Sequence, residues 1–135
     1  MPLAIEHFMT RTPLTIGRDQ TLASAHRLMR EHHLRHLPVL HGGALVGVVS
    51  QRDLYLVESL TDIDLEAVPV SEAMTMEVEV VDPRTPLRDV IATMAEKRIG
   101  STVVAQGKKI VGIFTVTDAL RTLALLLDAP TAQVA

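Results

Sequence analysis

The amino-acid sequence predicts an α+β fold in which two copies of one βαββα unit pack face to face. The first observation is an internal repeat, since Met9-Thr10 recurs as Met74-Thr75 and Asp53 recurs as Asp118, each 65 positions later. The second is that the hydrophobic periodicity changes in the same order within each copy, from extended to helical to hairpin to helical. The third is length, because 135 residues suffice for one shared core but not for two independent domains.

The repeat keeps one register without a gap between its first and last matching residues. The other identical pairs are Leu22 and Leu87, Met29 and Met94, Glu31 and Glu96, Val39 and Val104, Gly42 and Gly107, and Val46-Gly47 and Val111-Gly112. A solenoid needs three or more stacked units, so two long copies are expected to cover each other's apolar faces.

The first copy supplies its elements in the predicted order. Leu14 to Ile16 is a short extended stretch, and apolar residues at helical spacing then predict an amphipathic helix. Those apolar residues are Leu22, Ala25, Leu28 and Met29. Two apolar runs, Leu37 to Leu40 and Ala44 to Val49, flank His41-Gly42-Gly43 and predict a β-hairpin. A second helix is expected from about Gln51 to Ser59.

The second copy repeats this order. Val78 to Val81 is extended, and the helical spacing then recurs in Leu87, Val90, Ile91 and Met94. The hairpin strands are Thr102 to Ala105 and Ile110 to Phe114, with a turn at Gln106-Gly107-Lys108, and a closing helix spans about Val116 to Leu127. We therefore predict repeats at 1–60 and 70–128, a solvated acidic connector at 61–69 and a flexible tail at 129–135.

Composition excludes several classes of function. A net charge of −3 provides no basic surface for a phosphate backbone, and aromatic residues make up only 2%, so nucleic acid is not an expected partner. The absence of cysteine excludes disulfides and thiolate metal sites. The first residues lack the pattern of an export signal, and the longest apolar run, Leu123 to Leu127, is too short to cross a membrane. A cytoplasmic location is expected.

The most informative motif joins the second hairpin strand to the following helix in each copy. It reads Gly47-Val48-Val49-Ser50-Gln51-Arg52-Asp53 and then Gly112-Ile113-Phe114-Thr115-Val116-Thr117-Asp118. A hydroxyl residue at the N-cap with an acid three residues later is a capping box, which is a purely structural device. The same hydroxyl and carboxylate beside a helix N-terminus also offer hydrogen-bond acceptors to a ribose and a field that favours phosphate.

In these motifs the chain resembles the tandem cystathionine-β-synthase (CBS) domain pair, also called the Bateman module. The resemblance covers about residues 6–127. It rests on Ile5 to Thr10 and Val70 to Thr75, on Leu34-Arg35-His36-Leu37-Pro38-Val39, and on the duplicated Gly-x-x-Ser/Thr-x-x-Asp. The resemblance implies that the copies pack sheet to sheet about a pseudo-twofold axis. It also implies two clefts for adenosine-containing ligands such as AMP, ADP, ATP or S-adenosylmethionine, with no cofactor required.

The resemblance also implies roles for particular residues. Asp53 and Asp118, with Ser50 and Thr115, would each hold a ribose. The backbone around Thr12-Pro13-Leu14 and Glu77-Val78-Glu79 would face adenine. Arg35, His36 and Arg52 would reach the phosphates of a nucleotide on Asp118, because guanidinium groups bind phosphate bidentately. The Asp118 cleft is therefore expected to be the better phosphate site, and the Asp53 cleft to prefer an uncharged adenosyl group or to stay empty. Other candidate contacts are Pro38, Ser101 and Thr117, the last two standing where the first copy has cations.

Two alternatives to these roles remain open. Arg35 and Arg52 are ordinary solvated charges if no phosphate binds there. His32 and His36 would share a helix face and could hold zinc, but Pro38 favours an extended backbone at Leu37 and so an earlier helix end. No catalytic motif is found, and no base is placed to activate Ser50, so the chain is not expected to be an enzyme.

The helices predict self-association. Ala119 to Leu127 is apolar on more than one face, and Leu54 to Val57 is so to a lesser degree, which is typical of a subunit contact. The family resemblance implies that such pairs commonly dimerise through these helices, so a homodimer is expected. Two functions remain: a nucleotide sensor that signals to a separate effector protein, and a constitutive scaffold whose nucleotide clefts are vestigial.

Overall fold

The computed structural model describes residues 3–60 and 62–128 and has an α+β fold with four helices and two sheets. The helices are α1 (Leu22–His32), α2 (Gln51–Glu58), α3 (Leu87–Lys97) and α4 (Val116–Leu127). The strands are β1 (Thr10–Arg11), β2 (Ile16–Gly17), β3 (His36–His41), β4 (Ala44–Ser50), β5 (Val80–Val81), β6 (Ser101–Gln106) and β7 (Lys109–Thr115). The predicted βαββα order of each repeat is confirmed, as β2-α1-β3-β4-α2 and β5-α3-β6-β7-α4. The predicted tail, 129–135, lies outside the described residues.

The chain divides into two compact units that do not coincide with the two sequence repeats. One unit is Pro13–Val78, and we call it the Asp53 unit. The other combines Met1–Thr12 with Glu79–Ala135, and we call it the Asp118 unit. The Asp53 unit therefore contains Met74-Thr75 of the second repeat, and the Asp118 unit contains Met9-Thr10 of the first repeat.

The Asp53 unit is a three-stranded sheet in the order β2-β3-β4 with α1 and α2 packed on it. The β2 strand runs parallel to β3, and β3 pairs antiparallel with β4 so that His36 lies opposite Ser50. Its core is aliphatic, as the composition predicts. The buried core residues are Ile16, Leu22, Ala25, Met29, Leu37, Val39, Val49, Leu54 and Val70.

The Asp118 unit is a four-stranded sheet in the order β1-β7-β6-β5. Strand β6 pairs antiparallel with β7, with Ser101 opposite Thr115, so the His36–Ser50 register of the other unit is reproduced. The sequence did not predict β1, a two-residue strand that pairs antiparallel with β7. The core residues are Ile5, Leu87, Val90, Met94, Val104 and Phe114.

The repeated Met-Thr segments pack against the repeated glycines. A 3-10 turn precedes each segment, and the three atoms nearest a Cβ built on Gly112 all belong to Met9. A Cβ on Gly47 would lie 2.8 Å from both the Met74 sulfur and the Thr75 carbonyl oxygen. Gly47 and Gly112 are therefore required by the close approach of these segments.

Helices α1 and α3 both end on a left-handed residue that is not glycine. His33 has φ 54° and Arg98 has φ 57°, and each directs its N–H to a carbonyl near the end of its helix. Helix α1 thus stops at His32, and His36 lies in β3. The shared helix face that the zinc interpretation required is not formed. Helix α2 ends at Glu58, with Ser59 as its C-cap.

Candidate functional site

A capping box at the start of α2 fixes the Asp53 carboxylate. Ser50 ends β4 with an extended backbone, and its hydroxyl accepts a hydrogen bond from the Asp53 N–H at 3.0 Å. In return, Asp53 Oδ2 accepts from the Ser50 N–H at 2.8 Å. The predicted Ser-x-x-Asp box is therefore formed, and it satisfies backbone donors at the helix start. The second oxygen, Oδ1, has no hydrogen bond to any residue that the structure describes.

The matching box at the start of α4 is more heavily bonded. Asp118 Oδ2 accepts from the Thr115 N–H at 3.0 Å and from the Thr115 hydroxyl at 3.2 Å. Asp118 Oδ1 accepts from the Thr10 hydroxyl and from Arg121 Nη1, both at 3.0 Å. Asp118 is only 4% exposed, whereas Asp53 is partly exposed. The two carboxylates of the repeat thus have the same helix position and different surroundings.

The predicted cations of the first copy lie around the start of α2. The Gln51 N–H donates to the Arg35 carbonyl oxygen at 2.8 Å, which places Arg35-His36 beside the capping box. Burial lowers the pKa of His36 from its usual value, while the charge of Asp53 acts to raise it and that of Arg35 to lower it. His36 is therefore neutral at pH 7 and offers one ring N–H as a donor. Arg52, in the first turn of α2, is exposed.

Arg35 also lies in the wall of a groove on the helical side of the Asp53 unit. The groove has a volume of about 810 Å³. It lies against α1, α2 and residues 65–66, and Arg27 and Arg30 of α1 line it as well. Arg35 is therefore one of three arginines that line this groove. Arg27 and Arg30 were not predicted as site residues from the sequence.

The remaining predicted contacts are spread over both units. Thr12 and Leu14 are exposed, and Pro13 and Val78 are partly buried. Thr12 has a left-handed backbone with φ 47°, which is rare for a β-branched residue. Its N–H donates to the Val111 carbonyl oxygen.

The other candidates lie in the hairpin strands and in α4. Pro38 is buried within β3, opposite Val48. Ser101 is partly buried at the start of β6, and Thr117 is exposed in α4. Glu77 is exposed, whereas the Glu79 carbonyl oxygen accepts from Val103 and its carboxylate pairs with Lys97. The backbone of Glu79 is thus already bonded within its own unit.

Sequence reasoning missed the two side chains that hold Asp118 Oδ1. Thr10 was identified only as part of the repeat. Arg121 lies three residues after Asp118 on one helix, a spacing at which side chains meet, so this contact could have been predicted. The pairing of Thr10 with Asp118 depends on β1 joining β7, which local periodicity does not reveal.

Within residues 3–60 and 62–128, no three His, Cys, Asp or Glu side chains are grouped as metal ligands. The helices in the same part of the chain are all too short or too polar to cross a membrane.

With this geometry in place, the comparisons identify the family. The family model of the CBS domain matches residues 5–58 and 70–125. The chain belongs to the CBS domain family. The two matches make it a tandem CBS pair, as the sequence resemblance indicated.

The relatives of this CBS pair differ in length. The CBS domain-containing protein YhcV of Bacillus subtilis is 30% identical over 115 residues, which are 85% of this chain and 81% of YhcV. An inosine-5'-monophosphate dehydrogenase of Korarchaeum cryptofilum is 32% identical over 114 residues, 84% of this chain. The matched part is only 23% of the dehydrogenase, so the CBS pair spans about a quarter of that relative.

Solved structures share the fold. A hexameric CBS-CP12 protein from bloom-forming cyanobacteria is 31% identical, with a TM-score of 0.83 over 96% of this chain and 77% of that one. The CBS domain pair of protein MJ0100 was crystallised with 5'-methylthioadenosine and S-adenosyl-L-methionine. It is 21% identical, with a TM-score of 0.84 over 93% of this chain and 99% of that one, and it shows the fold alone.

Proposed function

We propose that this CBS pair is a regulatory module that binds an adenosine-containing nucleotide and signals its presence to a separate protein. The observation that carries the proposal is the Asp53 carboxylate. One of its oxygens is fixed by the capping box, and the other has no partner within the described residues. A fixed, partly exposed carboxylate oxygen is a strong acceptor for the adjacent hydroxyls of a ribose.

The surroundings of Asp53 suit the rest of a nucleotide. The N-terminus of α2 favours negative charge, and Arg52 in its first turn can bind a phosphate bidentately. His36 adds a neutral N–H donor. The sequence resemblance assigns Arg35, His36 and Arg52 to a nucleotide on Asp118; we propose instead that they serve one on Asp53, because all three belong to the Asp53 unit.

The ligand class follows from the ribose acceptor and from the family. AMP, ADP, ATP and S-adenosylmethionine are the candidates. The first three differ in the number of phosphate groups and therefore in negative charge. The adenosyl ligands of the MJ0100 pair fall in the same class. No catalytic step is assigned to the chain.

Titration calorimetry with AMP, ATP and S-adenosylmethionine tests the proposal, using Asp53→Asn as the decisive variant. Asparagine keeps a carbonyl oxygen for the Ser50 N–H but replaces the unpartnered oxygen with an NH₂ donor. Removing a hydrogen bond to a charged group should weaken binding by about ten- to a hundredfold. Asp89→Asn is the matched control, because Asp89 is exposed in the first turn of α3 and its substitution removes the same charge.

The expected result is binding by the native chain and by Asp89→Asn, with a large loss in Asp53→Asn. A saturating nucleotide, at about a hundredfold over its Kd, should also stabilise the native chain by about 2.7 kcal/mol. Unchanged melting temperatures with every adenosyl ligand would refute the sensor and favour the scaffold.

Self-association is part of the proposal, because α4 is apolar on its outer side. Leu120, Leu123, Leu125 and Leu127 are each more than half exposed, while the only residues of α4 that are buried are Asp118 and Thr122. Isolated chains rarely leave so much apolar surface in water, and a second copy would cover it. The CBS-CP12 relative is hexameric. Leu123→Glu should therefore shift the native oligomer toward monomer in light-scattering chromatography.

The scaffold alternative rests on this same helix surface. It predicts that partner binding depends on α4 and is unaffected by Asp53→Asn. The sensor predicts that added nucleotide changes partner binding and that Asp53→Asn removes the change.

A further inference from the structure

The Asp118 carboxylate has no free acceptor position. A carboxylate offers about four lone-pair sites, and four donor hydrogens fill them here. Two come from Thr115, one from the Thr10 hydroxyl and one from the Arg121 guanidinium. Asp53 receives one hydrogen bond from the described residues, from the Ser50 N–H. The two copies of the motif therefore differ in whether a ligand can find an acceptor.

The sequence repeat shows which residue makes the difference. Leu56 occupies in α2 the position that Arg121 occupies in α4, three residues after the aspartate. Leu56 has no polar atom in its side chain and is 61% exposed. Thr75 matches Thr10, but no hydrogen bond joins Thr75 to Asp53 within the described residues.

We infer that Arg121 is a specificity-determining residue that competes with ribose for Asp118, so that Asp53 is the preferred acceptor of the sugar and each chain binds one nucleotide tightly. This inference rests on the proposed function. The Arg121 side chain is 65% exposed and the Asp118 side chain 5%, so the guanidinium lies on the solvent side of a buried carboxylate.

Displacement of Arg121 by a ligand is unfavourable. A ribose hydroxyl is a neutral donor, whereas the guanidinium carries a positive charge and makes the stronger hydrogen bond to a carboxylate. The exchange also leaves Arg121 without this ion pair. Because the guanidinium is largely solvated, we expect a preference for Asp53 of about tenfold or more rather than several thousandfold.

Two single variants test the inference, each giving one copy the residue of the other: Arg121→Leu and Leu56→Arg. Titration calorimetry with ATP measures the number of nucleotides bound per chain and their affinity. Both positions are exposed helix residues, and leucine and arginine have similar helix propensities, so both variants should fold. The native chain should bind one ATP tightly, and any second site should be at least about tenfold weaker. Arg121→Leu should bind two, and Leu56→Arg should weaken the native site by about tenfold.

The outcomes separate the inference from the proposed function. If Asp118→Asn abolishes ATP binding and Asp53→Asn does not, the inference is overturned, although the chain would still be a nucleotide sensor. Two equal sites in the native chain, or one site in Arg121→Leu, would also overturn it. No binding of ATP, AMP or S-adenosylmethionine by the native chain and by Arg121→Leu would refute the proposed function and the inference together.

Discussion

Adding one methyl group to Gly47 should destabilise the fold more than adding one to Gly112. At Gly47 the new Cβ would lie 2.8 Å from the Thr75 carbonyl oxygen, and Thr75 is held to Val48 by hydrogen bonds of 2.9 and 3.0 Å. The backbone therefore cannot withdraw without losing those bonds. At Gly112 the three atoms nearest the Cβ all belong to the flexible side chain of Met9, which can change rotamer.

The magnitude follows from two opposing terms. Overpacking a core costs about 1–3 kcal/mol, while alanine in a strand gains about 0.5–1 kcal/mol over glycine. We expect Gly47→Ala to lose about 2 kcal/mol and Gly112→Ala about 1 kcal/mol or less. Gly17→Ala is the control and should be neutral or stabilising, because its nearest neighbour, Gln20 Cγ, lies 3.7 Å away.

Urea denaturation at constant m-value measures these differences, and double variants identify the contact. Met9→Ala should remove most of the cost of Gly112→Ala. Met74→Ala should remove only part of the cost of Gly47→Ala, since the Thr75 carbonyl remains. Equal stability of Gly47→Ala and Gly17→Ala would refute the packing argument.

Three further predictions concern single side chains. The pKa of His36 is lower in the folded chain than its ordinary value of 6.5, so stability should fall as pH drops below about 6.5. His36→Gln should remove that part of the pH dependence of urea denaturation; an unchanged curve would contradict it. The Thr102 hydroxyl is buried without a partner in the described residues, so Thr102→Val should raise the free energy of unfolding by about 1 kcal/mol. Arg98→Gly and His33→Gly should each raise the free energy of unfolding by about 0.5 kcal/mol, and with it the melting temperature, because glycine adopts the left-handed backbone without strain. A lower melting temperature in either would show that the native side chain contributes more than the strain costs.

The local structure was predictable because its signals are local. Both hairpins, all four helices and both capping boxes follow from periodicity and from hydroxyl and acidic residues at fixed spacing. The strands extend one residue or so beyond the apolar runs, since Ser101 and Lys109 pair in the sheet without being apolar.

The exchange of the Met-Thr segments was not predictable in the same way. It depends on two-residue pairings, such as Thr10 with Ile113, between parts of the chain far apart in sequence. The left-handed helix ends were missed because His33 and Arg98 stand where glycine would have been the signal. Neither feature has a periodic pattern from which it could be read.

The repeat also makes each copy a control for the other, and this decides how the candidate site is interpreted. Where both copies have the same residue, as at Asp53 and Asp118, the helix cap alone is a sufficient reason for it. Where they differ, the fold does not require the residue. Arg52 has Thr117 as its counterpart, so an arginine directly before the aspartate is found only in the copy with the unpartnered oxygen. Arg121 has Leu56, so the guanidinium that fills a carboxylate is found only in the other copy. The first difference favours a phosphate group near Asp53, and the second favours Asp53 over Asp118 as the ribose acceptor. The two differences are independent of each other.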